Sequence, residues 1–205
     1  TDKTCAILCE PLQGEGGVRP LPTKYLQGIR ALCDEHGLLL IFDEIQTGLG
    51  RTGALLACDH EGVRPDLLVL AKALGGGMLP VSAVLGSDEV MLRIRPGQHG
   101  STFGGNPVAT AAALAVISSV EKEKILAHVD EVGAFLLAEL ALDVLRGGER
   151  VLHHVVQEAR AHARRVEPQI RDGGGDVRGV DEVRIAGFSR LPRVHPEAVR
   201  VRALY

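Results

Sequence analysis

The sequence predicts a layered α/β fold, and three observations predict it. Four short apolar runs, residues 4–9, 38–42, 67–70 and 81–85, have strand length. Helix-period segments lie between and after these runs, and strands alternating with helices fold into a sheet with helices packed on it. Two of the runs end on charged residues, Asp43 and near Lys72. In an open α/β sheet ligands bind outside the carboxyl ends of the strands.

Taken in order, residues 4–9 form a buried strand that ends at Glu10-Pro11. Residues 13–19, QGEGGVR, form a glycine-rich loop. Thr23 is placed to cap a helix over 24–35, with Leu26, Ile29 and Cys33 on one face and Gly37 as its stop. The fully apolar run 38–42 reads as a strand buried on both faces. A glycine-punctuated loop spans 48–53, and 67–70 and 81–85 are further strands. Pro107 suits the first turn of an alanine-rich helix reaching about Val120. Residues 121–145 supply one more helix, broken near its start, and 151–166 a weak one. Beyond that no periodicity imposes structure.

Composition narrows the function class. The net charge of −3 gives no electrostatic footprint for nucleic acid or a membrane surface. No apolar run approaches the ~20 residues of a membrane helix. The opening TDKTCAILCE is not a signal peptide and reads as a strand entered mid-protein. Cys5, Cys9, Cys33 and Cys58 match no zinc spacing. Cys5 and Cys9 fall in one strand, and reduced, buried thiols suit a reducing compartment. All five lysines lie at or before Lys124, whereas twelve of the arginines follow residue 144. The sequence therefore divides into an orderly part, 1–143, and an Arg/Gly-rich tail, 144–205.

The chemistry centres on Lys72 and Asp43. Two neighbouring strands would bring both to one side of the sheet. Pyridoxal phosphate chemistry uses such a pair, with a lysine to hold the cofactor as a Schiff base and a carboxylate to keep its pyridine nitrogen protonated. The glycines 75–77 let the backbone pass close to a flat cofactor. Alone, Lys72 would read as a surface lysine and Asp43 as a cap or a partner of Arg51. Their conjunction reverses both readings. Gln46 could donate to the cofactor's phenolic oxygen and Ile45 pack on a ring face. The segment 97–107, GQHGSTFGGNP, combines Ser101, Thr102, turned amides and a helix start, the elements of a phosphate site. It has no Walker ending, which argues against a nucleotide. Glu15 could meet a substrate ammonium or hold an arginine, and His99 is a general-base candidate of a type more often structural.

The segments CEPLQGEGGV, LLLIFDEIQTGLGRTG, VRPDLLVLAKALGGGMLPVSAVLG and VMLRIRPGQHGSTFGGNP resemble the class III pyridoxal-phosphate-dependent aminotransferases, especially their ornithine branch. The resemblance runs from residue 4 to about 143. It implies a fold-type I large domain, with a mixed, mostly parallel sheet flanked by helices, in a homodimer. It implies Lys72 as the Schiff-base lysine, Asp43 as the pyridinium partner, Gln46 at the phenolic oxygen and Ile45 on the ring. Thr102, with Ser101 beside it, would reach the phosphate of the cofactor in the other subunit. Glu15 would gate which substrate carboxylate enters. The substrates implied are an amino acid and a 2-oxo acid, in the cytoplasm or the mitochondrial matrix, with no nucleic acid, membrane or metal involved. For the ornithine branch the reaction passes the δ-amino group to 2-oxoglutarate. Acetylornithine and 4-aminobutyrate enzymes are the sibling alternatives. The family's first half of the large domain and its small domain are not recognisable in the sequence. It therefore reads as an incomplete large domain, and the alternative function is an inactive fragment. The tail reads either as an out-of-frame product of a GC-rich gene or as a divergent extension.

Overall fold

The computed structural model describes residues 1–145 of the chain. The tail and the weak helix expected over 151–166 lie outside the described residues. Among those described, one compact unit contains Thr1–Val129 and a second begins at Asp130.

The first unit is built on a four-stranded sheet in the order β1-β4-β5-β6, from β1 (Ala6–Cys9), β4 (Leu39–Asp43), β5 (Leu67–Leu70) and β6 (Ala83–Gly86). β1, β4 and β5 are parallel, and β6 runs antiparallel to β5. The sheet is thus mixed and mostly parallel, as the resemblance implies. Parallel neighbours need a crossover, and α1 (Thr23–His36) supplies it between β1 and β4. The strands fall within two residues of their expected positions.

The core forms where α1 lies on the sheet. Leu26, Ile29 and Cys33 from one face of α1 meet Leu40 and Phe42 of β4 and Leu68 and Leu70 of β5. Gly37 ends α1 in the left-handed conformation at φ 64, which a residue without Cβ adopts at little cost. Thr23 is not the cap. It is the first helical residue, and the preceding Pro22 carbonyl accepts from Tyr25 and Leu26 at 2.8 and 3.1 Å.

Three expectations of burial need correction. Leu39 and Ile41 are only half-buried, because α1 covers the opposite face of β4. β1 is an edge strand among the described residues, and Leu8 is 64% exposed rather than buried. Cys5 precedes β1 and is exposed, so it shares no strand with Cys9; all four thiols are free. The loop 13–19 also holds more order than expected. β2 (Leu12–Gln13) and β3 (Arg19–Pro20) pair in it as a short antiparallel ribbon.

After β6 come a single turn, α2 (Asp88–Met91), then α3 (Pro107–Lys122) and α4 (Ile125–Leu145). Pro107 takes the first turn of α3 as expected, and Asn106 caps it by accepting from the Ala109 amide at 2.9 Å. The expected break before α4 falls at Glu123–Lys124, where Lys124 has φ 53.

A polar knot joins α1 to the sheet. Asp66 Oδ2 accepts from Arg30 at 2.8 Å and from the Leu40 amide at 2.7 Å, and the Asp66 amide donates to the Leu40 carbonyl at 2.8 Å. Arg30 also pairs with Asp34, one turn along α1 and largely exposed. Removing Asp66 leaves the Leu40 strand amide without its acceptor and takes one carboxylate from a largely buried guanidinium, which keeps Asp34 and the Arg64 carbonyl. Asp66→Ala is therefore expected to lower unfolding stability by about 2 kcal/mol in urea titrations. Asp34→Ala should cost less than about 1 kcal/mol, as solvent-screened pairs do.

Candidate active site

Asp43 is the last residue of β4 and pairs in register with Val69 of β5. Lys72 follows three residues beyond Val69, just past the end of β5. Adjacent strands lie about 4.8 Å apart, so the acid and the amine stand at the carboxyl ends of neighbouring strands, the position expected for a ligand site. Asp43 is half-buried, and its Oδ1 accepts from the Ile45 amide at 3.0 Å. Among the described residues it has no ion pair, so the alternative of a bridge to Arg51 is not realised. Lys72 is exposed and opens a single 3-10 turn, Lys72–Gly75. Its φ of 42 lies in the left-handed region, which is uncommon for a residue with a Cβ and concentrates at functional positions.

Of the three glycines after Lys72, Gly76 is the one required by packing. A Cβ on Gly76, itself at φ 62, would lie 2.9 Å from Val116 Cγ2. The bare backbone thus lets α3 settle against the Lys72 turn. The loop leading into α3 carries Ser101 and Thr102, both exposed. Ser101 Oγ accepts from the Gly104 amide at 3.1 Å, which leaves its own proton available. The start of α3 adds less to an anion site than its sequence suggests. Pro107 has no N–H, and Asn106 takes that of Ala109. Ile45 is half-buried, while Gln46, Glu15 and His99 are exposed. A shallow groove of about 390 Å³ lies at α2, lined by Asp88, Glu89, Leu92, Arg93 and Arg95, and none of these candidates borders it.

A family profile described as Aminotransferase class-III matches residues 1–153. The chain belongs to the class III aminotransferases. It is 58% identical over 135 residues to the acetylornithine aminotransferase of Myxococcus xanthus, a match covering 66% of this chain and 33% of that protein. To the mitochondrial ornithine aminotransferase of Rattus norvegicus it is 46% identical over 176 residues, covering 82% and 40%. The chain thus spans well under half the length of these relatives. Among solved structures, the ornithine aminotransferase of Plasmodium yoelii superposes with a TM-score of 0.66 at 43% identity, over 70% of this chain and 38% of that one. The acetylornithine aminotransferase of Elizabethkingia anophelis gives 0.66 at 48% identity, over 69% and 37%. These neighbours have the fold-type I architecture expected from the sequence.

In this class III chain the residue that sequence reasoning passed over is Glu44. It is 1% exposed, and its carboxylate is fully engaged. Oε2 accepts from the Ala57 amide at 2.6 Å and from the Thr47 hydroxyl at 3.3 Å, while Oε1 accepts from the Cys58 amide at 2.9 Å. Its own amide donates to the Val69 carbonyl at 3.0 Å, and its carbonyl accepts from Gly48 at 2.9 Å. Glu44 therefore locks the turn that presents Asp43, Ile45 and Gln46. A second acid directly after an apolar run was the available signal, because such a charge must find partners.

Burial, and then the adjacent Glu44 carboxylate, push the Cys58 thiol far above its ordinary value of 9.0. Burial raises Cys9 and Cys33 as well. The folded pKa exceeds the unfolded one, so above about pH 9 the native thiol keeps a proton that the unfolded chain releases. This contribution to stability is full below that pH and is lost progressively as pH rises from there toward the raised folded value. The urea midpoint is expected to fall above pH 9, with a shallower fall in Cys58→Ala. Glu44→Ala leaves two buried amides unpaired and should cost about 3 kcal/mol in the same measurement.

Proposed function

We propose that the protein transfers an amino group between an amino acid and a 2-oxo acid, with pyridoxal phosphate held on Lys72 and Asp43. The observation that carries this reading is the β4–β5 register, which sets a half-buried carboxylate and an exposed amine at adjoining strand ends. The residues suit the cofactor chemically. Lys72 offers a primary amine to an aldehyde, and Asp43 keeps one oxygen uncommitted for a protonated ring nitrogen. Ser101 and Thr102 offer hydroxyls to a phosphate.

When bound, pyridoxal phosphate supplies an electron sink for the pair left on the substrate carbon. Lys72 Nζ would hold the cofactor through its aldehyde carbon and, once free, would carry the proton taken from the substrate carbon. Asp43 holds the ring nitrogen's proton by its negative charge, which is most effective where water is excluded. Ile45 packs on the ring, Gln46 donates to the phenolic oxygen, and Glu15 selects among substrate carboxylates. Residues 1–143 act as part of the cofactor-binding large domain, with 144–205 the Arg/Gly-rich tail. In a homodimer Thr102 reaches the phosphate of the partner's cofactor. The exposed side chains of Phe103 and Val108 beside it support burial against a second copy.

The amino donor in this reading is ornithine, whose δ-amino group passes to 2-oxoglutarate to give glutamate 5-semialdehyde and glutamate. The names of the relatives from rat, Arabidopsis thaliana and Staphylococcus aureus support it. Their names, some mitochondrial and some bacterial, also support a mitochondrial-matrix or cytoplasmic setting. A second reading, acetylornithine, is favoured by the 58% identity to the Myxococcus enzyme.

The test uses the protein expressed from its own gene. Borohydride reduction with pyridoxal phosphate should leave a pyridoxyl group on Lys72, found by peptide mass spectrometry and absent in Lys72→Ala. Asp43→Ala should keep that modification but lose turnover by about 100-fold, the size of one preorganised electrostatic contact. Ornithine should outpace N-acetylornithine and 4-aminobutyrate as donor to 2-oxoglutarate. Modification elsewhere than Lys72 would overturn the site, and faster turnover of N-acetylornithine would select the second substrate.

A further inference from the structure

Gly14 lacks a side chain for a spatial reason. A Cβ there would overlap Gln46 Oε1 and would lie 2.6 Å from Gln46 Cδ and 3.3 Å from Nε2. Its backbone is not left-handed, so the conformation alone would admit alanine. The residue is also held from both sides. Its amide donates to Glu10 Oε2 at 3.0 Å, and its carbonyl accepts from Gly17 at 3.2 Å and Val18 at 3.0 Å. When the two compete for space, the Gln46 carboxamide is therefore the group that yields.

We propose that Gly14 is a positioning residue. Its bare Cα is the seat on which the Gln46 carboxamide rests, so that the loop carrying Glu15 and the residues 43–46 act as one unit. The proposal rests on the aminotransferase reading above and deepens it. Gln46 is exposed and takes no hydrogen bond among the described residues. A glutamine carboxamide on three free torsions carries much rotamer entropy. Contact with Gly14 limits where it can point, and Glu10 in turn holds Gly14 in place. Adding one carbon at Gly14 would swing a surface side chain without opening the core. The effects on stability and on cofactor binding are therefore separable.

In the protein expressed from its own gene, Gly14→Ala is expected to melt within about 2 °C of the parent, since only a surface group moves. The pyridoxal phosphate concentration for half-maximal borohydride trapping at Lys72 should rise about fivefold, the size of one neutral hydrogen bond. Gln46→Ala should give the same rise, and the double variant should be no worse than Gln46→Ala alone. In cofactor-free protein the Gln46 side-chain amide resonances should move on Gly14→Ala. An unchanged half-saturation, unmoved resonances, or losses that multiply in the double variant would each overturn the proposal. Should Gly14→Ala fail to fold, a folded double variant supports the proposal and an unfolded one overturns it. Failure of the parent to be trapped at Lys72 would instead overturn the aminotransferase reading. The Gln46 resonances would then decide the role of Gly14.

Discussion

The buried carboxylate of Glu44 is the constraint on which the site depends. An ionised carboxylate removed from water is tolerated only when its oxygens are bonded. Here the amides of Ala57 and Cys58 and the hydroxyl of Thr47 bond it. These bonds tie residues 44–47 to a segment ten or more residues along the chain. The loop joining β4 to β5 is thereby gathered into a closed unit at the carboxyl end of the sheet. Asp43 stands immediately before that unit, and Ile45 and Gln46 lie inside it. The glutamate does no chemistry in this arrangement; it makes the neighbouring residues rigid.

On the Lys72 side, rigidity comes from close backbone approach. β5 delivers the chain to the same carboxyl end of the sheet, and the 3-10 turn that begins with Lys72 is held by α3 through Val116 and the bare Gly76. The left-handed backbone at Lys72 is uphill locally, and it persists because strand and helix leave the chain no easier route. Acid and amine are thus held by different devices, a buried hydrogen-bonded charge and a glycine-permitted contact. Strand register alone relates the two.

The strands, α1, α3 and their stops were readable from the sequence because each has a local cause. Consecutive apolar residues, the Leu26–Ile29–Cys33 spacing, Gly37 and Pro107 all act within a few residues of themselves. That Asp43 and Lys72 lie at the ends of neighbouring strands was also readable, because both follow apolar runs. The role of Glu44 was not, since the Ala57 and Cys58 groups that bond it are backbone amides 13 and 14 residues along the chain. The seat of Gln46 on Gly14 was equally hidden, because glycine in a loop has many reasons to be there. Overestimated burial at Leu8, Leu39 and Ile41 has one origin. Apolar composition states what a residue would bury, and only the neighbours state whether anything covers it.

By itself, then, the sequence determined the α/β class, the order of the four main strands, α1, α3 and α4, and the family through motifs whose residue types are dictated by chemistry. Tertiary structure alone decided the strand order β1-β4-β5-β6, the antiparallel sense of β6 and the hydrogen bonds that hold Glu44. It also decided which glycines are required and by which neighbour. The physical reason is range. Backbone preference and side-chain periodicity act between near neighbours in the chain, whereas register, buried polar partnership and steric fit join residues that only the folded chain brings together.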